Sequence, residues 1–138
     1  RFAAELAEEI AAACATYPSG QIACAETLVA VLHVESRFTA APTRRGACGV
    51  AQIIPRHQSC DTGRKHWTCS RPSCDELEKP TIGIGWAVTI LTRLHAGRCR
   101  KADDPASCAI LSYNGSRRKH RYLEDVRAKM SEASIFFR

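Results

Sequence analysis

The stretch Gln21-Ile22-Ala23-Cys24-Ala25-Glu26-Thr27-Leu28-Val29-Ala30-Val31-Leu32-His33-Val34-Glu35-Ser36 decides how the rest of this chain is read. Ile22, Leu28, Val29, Val31, Leu32 and Val34 recur at three- and four-residue steps, the period of a helix with an apolar stripe. Glu35 falls three residues after Leu32 and seven after Leu28, so its side chain lies on or beside that stripe. An ionised carboxylate is unwelcome there without a partner. It also falls in the last helical turn. Desolvation and the negative end of the helix dipole both favour the protonated form, which would prepare Glu35 to donate a proton.

Working outward, residues 2–17 are rich in Ala, Glu and Leu and predict a first helix, closed by Pro18 and Gly20. Residues 39–49 contain Pro42, Gly46 and Gly49 and predict a loop or short hairpin, with one helical turn over 50–54. A polar, cysteine-bearing loop follows, about 56–79, stapled by sulfur. Residues 81–96 carry Ile82, Ile84, Trp86, Val88, Ile90, Leu91 and Leu94 around most of the wheel, as in a helix buried on several sides. Asp103 or Asp104 can cap a further helix with Pro105 in its first turn, ending near Asn114-Gly115. A last amphipathic helix covers about 120–131. The expectation is one mainly α domain over residues 1–138, with no internal repeat.

With 138 residues and 45% hydrophobic composition, the chain can bury a core of its own, which argues against disorder. No run of about twenty apolar residues exists to span a membrane. Arg1-Phe2-Ala3 lacks the basic and apolar regions of a signal peptide, as expected of a mature or trimmed form. Eight cysteines, Cys14, Cys24, Cys48, Cys60, Cys69, Cys74, Cys99 and Cys108, point to disulfides and an oxidising compartment. Cys14 with Cys24, and Cys99 with Cys108, flank short connections and are plausible local pairs. His57, Cys60, His66, Cys69 and Cys74 raise a zinc reading, but the spacings Cys-x8-Cys and Cys-x4-Cys match no common ligand pair. No metal or other cofactor is therefore expected. The formal charge of +6 suits a polyanion as readily as a solvated surface. Cysteine content and the lack of zinc-finger, RRM or bZIP signatures speak against nucleic acid.

Four segments then occur in order: Glu35-Ser36-Arg37-Phe38, Gly46 to Pro55 with Gln52, Ile82-Gly83-Ile84-Gly85, and Ser112-Tyr113-Asn114-Gly115. Together they resemble the ordered motifs of lytic transglycosylases, relatives of goose-type lysozymes, and Tyr122 and Val126 fit that family's usual ending. Val50-Ala51 stands where Leu-Met is usual, Thr81 where Asn is common, and Ser112 where Ala is usual. The resemblance implies a lysozyme-like helical fold and cleavage of the MurNAc–GlcNAc bond of peptidoglycan with 1,6-anhydro-MurNAc as product. It implies Glu35 as acid and then base, and no cofactor. Tyr113 and Asn114 carry over as neighbours of the acid, the phenol able to hydrogen-bond Glu35 and the amide to meet the sugar.

No acidic residue lies between Glu35 and Gln52, whereas a hydrolytic glycosidase normally needs two carboxylates. That favours ring closure over a hydrolytic muramidase, unless Asp61 or Asp75 folds back into the cleft. A non-catalytic wall-binding module is the other rival. Gln52 offers an amide to glycan hydroxyls or to the interior; Thr43 is a sugar-orienting hydroxyl or a turn cap. Ser36 is a candidate contact whose simpler role is a local backbone bond. Trp67 in the polar loop is the better sugar-stacking candidate, Trp86 the better core residue. The expected partner is peptidoglycan glycan strands, met by a monomer in the periplasm, outside the cell or on a phage particle, in the service of secretion, conjugation or phage entry.

Overall fold

The computed structural model describes residues 2–15, 17, 20–38, 46–55, 71–114 and 119–134, with backbone alone at 2–5, 21–22, 114, 119–120 and 133–134. The described residues form helices α1 (Phe2–Cys14), α2 (Gln21–Ser36), α3 (Cys74–Leu77), α4 (Pro80–Ala96), α5 (Pro105–Asn114) and α6 (Lys119–Ser134). No strand occurs among them; a single antiparallel bridge joins Cys48 to Ile53. The mainly α, disulfide-stapled architecture expected from the periodicity is what the chain adopts.

Local chemistry explains most boundaries. Gly20, at φ 93°, begins α2 without a side-chain cap. Pro80 occupies the first turn of α4, where its missing N–H costs nothing. Asp104 accepts from the Ser107 N–H at 3.2 Å and caps α5 as anticipated. Hydrogen bonds from Ser107 hold the Asp104 carboxyl below the usual range. The first helix stops at Cys14, short of the expected Tyr17, whose ring is buried outside the helix.

Three elements depart from the sequence reading. Residues 50–54 make no helical turn; Cys48 and Ile53 exchange N–H···O bonds of 2.9 and 3.1 Å across a tight reversal. Helix α3 lay hidden in the polar loop, opened by a capping box in which Ser73 and Glu76 each accept the other's N–H at 3.1 Å. Among the described residues α4 is buried along one side, through Gly83, Ile84, Ala87, Val88 and Leu91. Its other side, Thr81, Ile82, Gly85, Trp86, Thr89 and Arg93, lines an open groove of about 430 Å³. The apolar residues that spread round the wheel thus serve core and groove in turn.

Helix α2 is the element enclosed from two directions. Leu28 and Leu32 belong to the larger core cluster with Ile10, Val50, Leu77, Ile84 and Leu91. Ala30 and Val31 face a second cluster with Ile110, Tyr122 and Val126. The α2–α6 pairing is the most extensive between helices of the described residues. Disulfides Cys14–Cys24 and Cys99–Cys108 pin consecutive helices, as the spacing suggested. A third, Cys48–Cys74, ties the 48–53 turn to α3. Cys74 is thereby removed from the zinc set; His57, Cys60, His66 and Cys69 lie outside the described residues. No group of three metal-ligating side chains occurs among those described. Among the described residues no helix is long and apolar enough to cross a membrane.

Candidate active site

The C-terminal end of α2 and the 48–53 turn lie side by side, and the backbone is strained at both. Arg37 (φ 52°), Phe38 (φ 64°) and Gln52 (φ 51°) are the non-glycine residues with positive φ among those described. The left-handed region disfavours a Cβ by roughly 1–2 kcal/mol per residue. Such residues persist where surrounding structure over-determines them, and they gather at functional sites. Arg37 caps α2 by donating its N–H to His33 O at 2.8 Å, which reverses the chain immediately after Glu35-Ser36.

Glu35 is half-buried, and its Oε1 accepts a hydrogen bond of 2.8 Å from Tyr122 Oη on α6. Tyr122 is buried among Val31, Ile110 and Val126. Burial first, and then the Glu35 charge and hydrogen bond, drive its phenol far above the usual range. Tyr122 therefore keeps its proton and can only donate to the carboxylate. The hydrogen bond anticipated from Tyr113 is thus made by Tyr122 instead. Tyr113 Oη donates to Ala51 O at 2.7 Å, in the turn. Burial, followed by the Glu35 charge, also raises the Tyr113 phenol well above its ordinary value. Glu35 is the carboxylate that both phenols sense.

Ser36 Oγ lies 2.7 Å from Val50 O and 3.2 Å from Leu32 O, so its hydroxyl ties the helix end to the turn. Gln52 Nε2 donates to Gly49 O at 3.0 Å, closing the turn from inside. Gly49 (φ 73°) is required twice over: a Cβ there would lie 2.0 Å from Leu77 O, and its φ favours glycine. Gly83 presses on the same carbonyl from α4, where a Cβ would approach to 2.9 Å. The Gly-x-x-Gln pattern is therefore written by the packing of turn, α3 and α4 against one another.

The structure brings Glu35, Ser36, Gln52 and Tyr113 into one neighbourhood through the bonds to Val50, Ala51 and Gly49. Asn114 ends α5 beside Tyr113, its side chain outside the description. Thr43 and Trp67 lie outside the described residues, as does Asp61. Asp75 is exposed on α3. Trp86 is half-buried, packed on the larger cluster and open to the α4 groove, so it is only partly the core residue expected.

Two features escaped the sequence reading. Tyr122 was noted with Val126 only as fitting the family's usual ending, and its hydroxyl carried no sequence signal pointing to Glu35. The Cys48–Cys74 pairing spans 26 residues, too far for local spacing to reveal.

A family model described as Transglycosylase SLT domain matches residues 12–135. No curated protein and no solved structure matches the chain.

Proposed function

The chain belongs to the transglycosylase SLT domain family, and on that premise we propose that it is a lytic transglycosylase in which Glu35 alone supplies the acid–base chemistry. Family membership carries the coarse function, transglycosylase-type action on peptidoglycan. The finer reading is cleavage of the MurNAc–GlcNAc β-1,4 bond with closure of a 1,6-anhydro ring. The observation that supports it is the seat of Glu35: a half-buried carboxyl at a helix end, holding a hydrogen bond from a phenol that stays protonated.

In this reading Glu35 begins as the acid and gives its proton to the glycosidic oxygen as the bond to C1 breaks. The resulting carboxylate then takes the proton of the MurNAc 6-hydroxyl, whose oxygen attacks C1. One group acts in both directions, so no second carboxylate is required. Tyr122 is suited to hold the carboxylate in one rotamer and to stabilise its charge after the first proton transfer. Its donor bond costs nothing to arrange at that moment, because the buried ring is already in place. Ser36 and Tyr113 fix the turn that carries Gln52, the candidate sugar contact, with Thr43, Asn114 and Trp67 as further substrate-binding candidates.

Three disulfides among the described residues suit an oxidising, extracytoplasmic setting. Mass spectrometry of digested peptidoglycan tests the proposal. Anhydro-muropeptides are expected from the native chain, with at least about a 100-fold loss in Glu35→Gln. Reducing-end products would move the assignment to a hydrolytic muramidase, and undiminished activity of the variant would remove Glu35 from the chemistry.

A further inference from the structure

The turn beside Glu35 is fastened by a covalent bond to a different part of the chain. Cys48 is bonded to Cys74, the first residue of α3. The next residue, Gly49, lies against Leu77 O at the other end of that short helix, and Gly83 of α4 backs the same carbonyl. Two residues after Cys48, Val50 O accepts from Ser36 Oγ; one further on, Ala51 O accepts from Tyr113 Oη. A continuous set of bonds therefore runs from the disulfide to the residue adjoining Glu35. The other described bridges are of another kind. Cys14–Cys24 and Cys99–Cys108 close separations of 10 and 9 residues between consecutive helices, and neither has a sulfur in the turn.

We propose that the Cys48–Cys74 bridge is a positioning element for the reaction at Glu35, so that opening this one bond with a thiol reductant lowers turnover while the helices remain folded. The inference rests on Glu35 being the reacting group. Exposure is unequal: Cys48 is 3% exposed, whereas Cys74 is half-buried. The thiolate of a dithiol reductant accordingly attacks Cys74 Sγ. The protein S–S bond breaks, and Cys48 leaves as a thiolate that takes up a proton. The second thiol of the reductant then attacks the mixed disulfide and frees Cys74. The reductant departs as a cyclic disulfide, and the protein has gained two electrons and two protons. The turn then retains the Cys48–Ile53 bridge and its carbonyl contacts but has lost its anchor on α3. Displacements on the order of 1 Å at a reacting group can cost about 100-fold in rate, so a loosened turn reads out in kcat before it reads out in helix content.

The decisive comparison is between two double variants of the full chain, C48S/C74S and C99S/C108S, assayed for anhydro-muropeptide release with helix content followed by circular dichroism. The expected result is a kcat at least about 10-fold lower in C48S/C74S, with KM less affected and helix signal retained; C99S/C108S should stay within about twofold of the native kcat. A native-like kcat in C48S/C74S, or an equal loss in C99S/C108S, overturns the proposal. Should C48S/C74S not fold, brief dithiothreitol treatment of the native chain with alkylation mapping replaces it. Activity must then fall in step with labelling of Cys48 and Cys74, and loss without that labelling refutes the clamp. Should the native chain release no anhydro product, the ring-closing reading fails by itself. Hydrogen exchange still decides the clamp: amide protection at residues 48 and 53 must drop in C48S/C74S while α2 and α6 keep theirs, and unchanged protection at 48 and 53 rules it out.

Discussion

Glu35 stands between two regions that are held by different physics. On one side, α2 and α6, each of 16 residues, are joined by apolar side chains, with Ala30, Val31, Tyr122 and Val126 in one buried cluster, and by the Tyr122–Glu35 hydrogen bond. No disulfide joins them among the described residues. On the other side, the 48–53 turn also buries Cys48, Val50, Ala51 and Ile53 in the larger core cluster, but it carries no helical stripe. Its position is set by backbone carbonyls that accept from Ser36 and Tyr113, by a glycine resting on Leu77 O, and by a bond to Cys74. The helix pair carries Glu35 and the Tyr122 phenol bonded to it. The turn adjoins the end of that helix, and Gly49 leaves no room there for a Cβ. The helix that carries Glu35 is held by a packed partner helix, the turn by carbonyl hydrogen bonds and a covalent tether, so the two are made rigid by different means.

The largest effect that would test this division comes from Gly49→Ala. A Cβ would sit 2.0 Å from the Leu77 carbonyl at φ 73°, so neither rotation nor a shift of one side chain relieves it. Destabilisation of about 3 kcal/mol or more is expected from strain and clash together. Urea denaturation measures it. A loss below about 1 kcal/mol would mean that the turn is loosely seated, and the contrast between the two regions would collapse.

Next come two substitutions that delete the same atom on opposite sides. Tyr113→Phe leaves Ala51 O without its donor, and about 1–3 kcal/mol of stability should go with it. Tyr122→Phe removes a charge-assisted bond from Glu35, and a kcat loss of about 10-fold is expected, since such bonds contribute about 1.5–3 kcal/mol. Paired kinetics and melting curves should show the first variant failing mainly in stability and the second mainly in turnover. The opposite pattern would exchange the roles assigned to the two phenols.

The same contrast explains what the sequence could convey. Burial of Leu28, Val31, Leu32 and Val126 is a periodic property, so α2, α4, α5 and α6 could be read from spacing, and with them the placing of Glu35 on a helix end. Caps helped further: Asp104 and Pro105 announce α5 because their side chains act within three residues of themselves. The turn obeys no period. Its geometry depends on Leu77 O, Tyr113 Oη and Cys74 Sγ, the last two 62 and 26 residues from their partners in the turn, and a carbonyl oxygen is the same whatever residue bears it. Gly49 and Gln52 could be recognised as a pattern while the reason for the pattern stayed out of reach. Tyr122 was hidden for a related cause: on an amphipathic helix an apolar stripe accounts for the ring, and nothing local reports the 87-residue contact made by its hydroxyl.

A smaller effect probes how far the clamp reaches. Ser73→Ala removes the capping box of α3, and loss of such a cap costs about 1 kcal/mol. Because Cys74 follows directly, part of that loss should appear as faster amide exchange at Cys48 and Ile53. Exchange confined to α3 would show that the disulfide, and not the cap, orients the turn.

The smallest effect concerns the helix side and is read through pH. His33, on α2 beside Phe38 at a ring distance of 5.3 Å, titrates below its ordinary 6.5. Desolvation is the leading cause, followed by the cations of Lys129 on α6 and Arg37, with Glu132 opposing them. Protonation is therefore easier in the unfolded chain, which binds the proton first as pH falls. The stability contribution of neutral His33 is fully present above about pH 6.5 and is lost as pH drops through the lowered folded value. Partial exposure keeps this small. The Tm should decline more between about pH 7 and about pH 5 in the native chain than in His33→Gln, and Lys129→Gln should reduce the difference. Identical slopes in the native chain and His33→Gln would mean that Lys129 brings no electrostatic influence to this end of α2, leaving apolar packing and the Tyr122–Glu35 hydrogen bond to hold the helix against its partner.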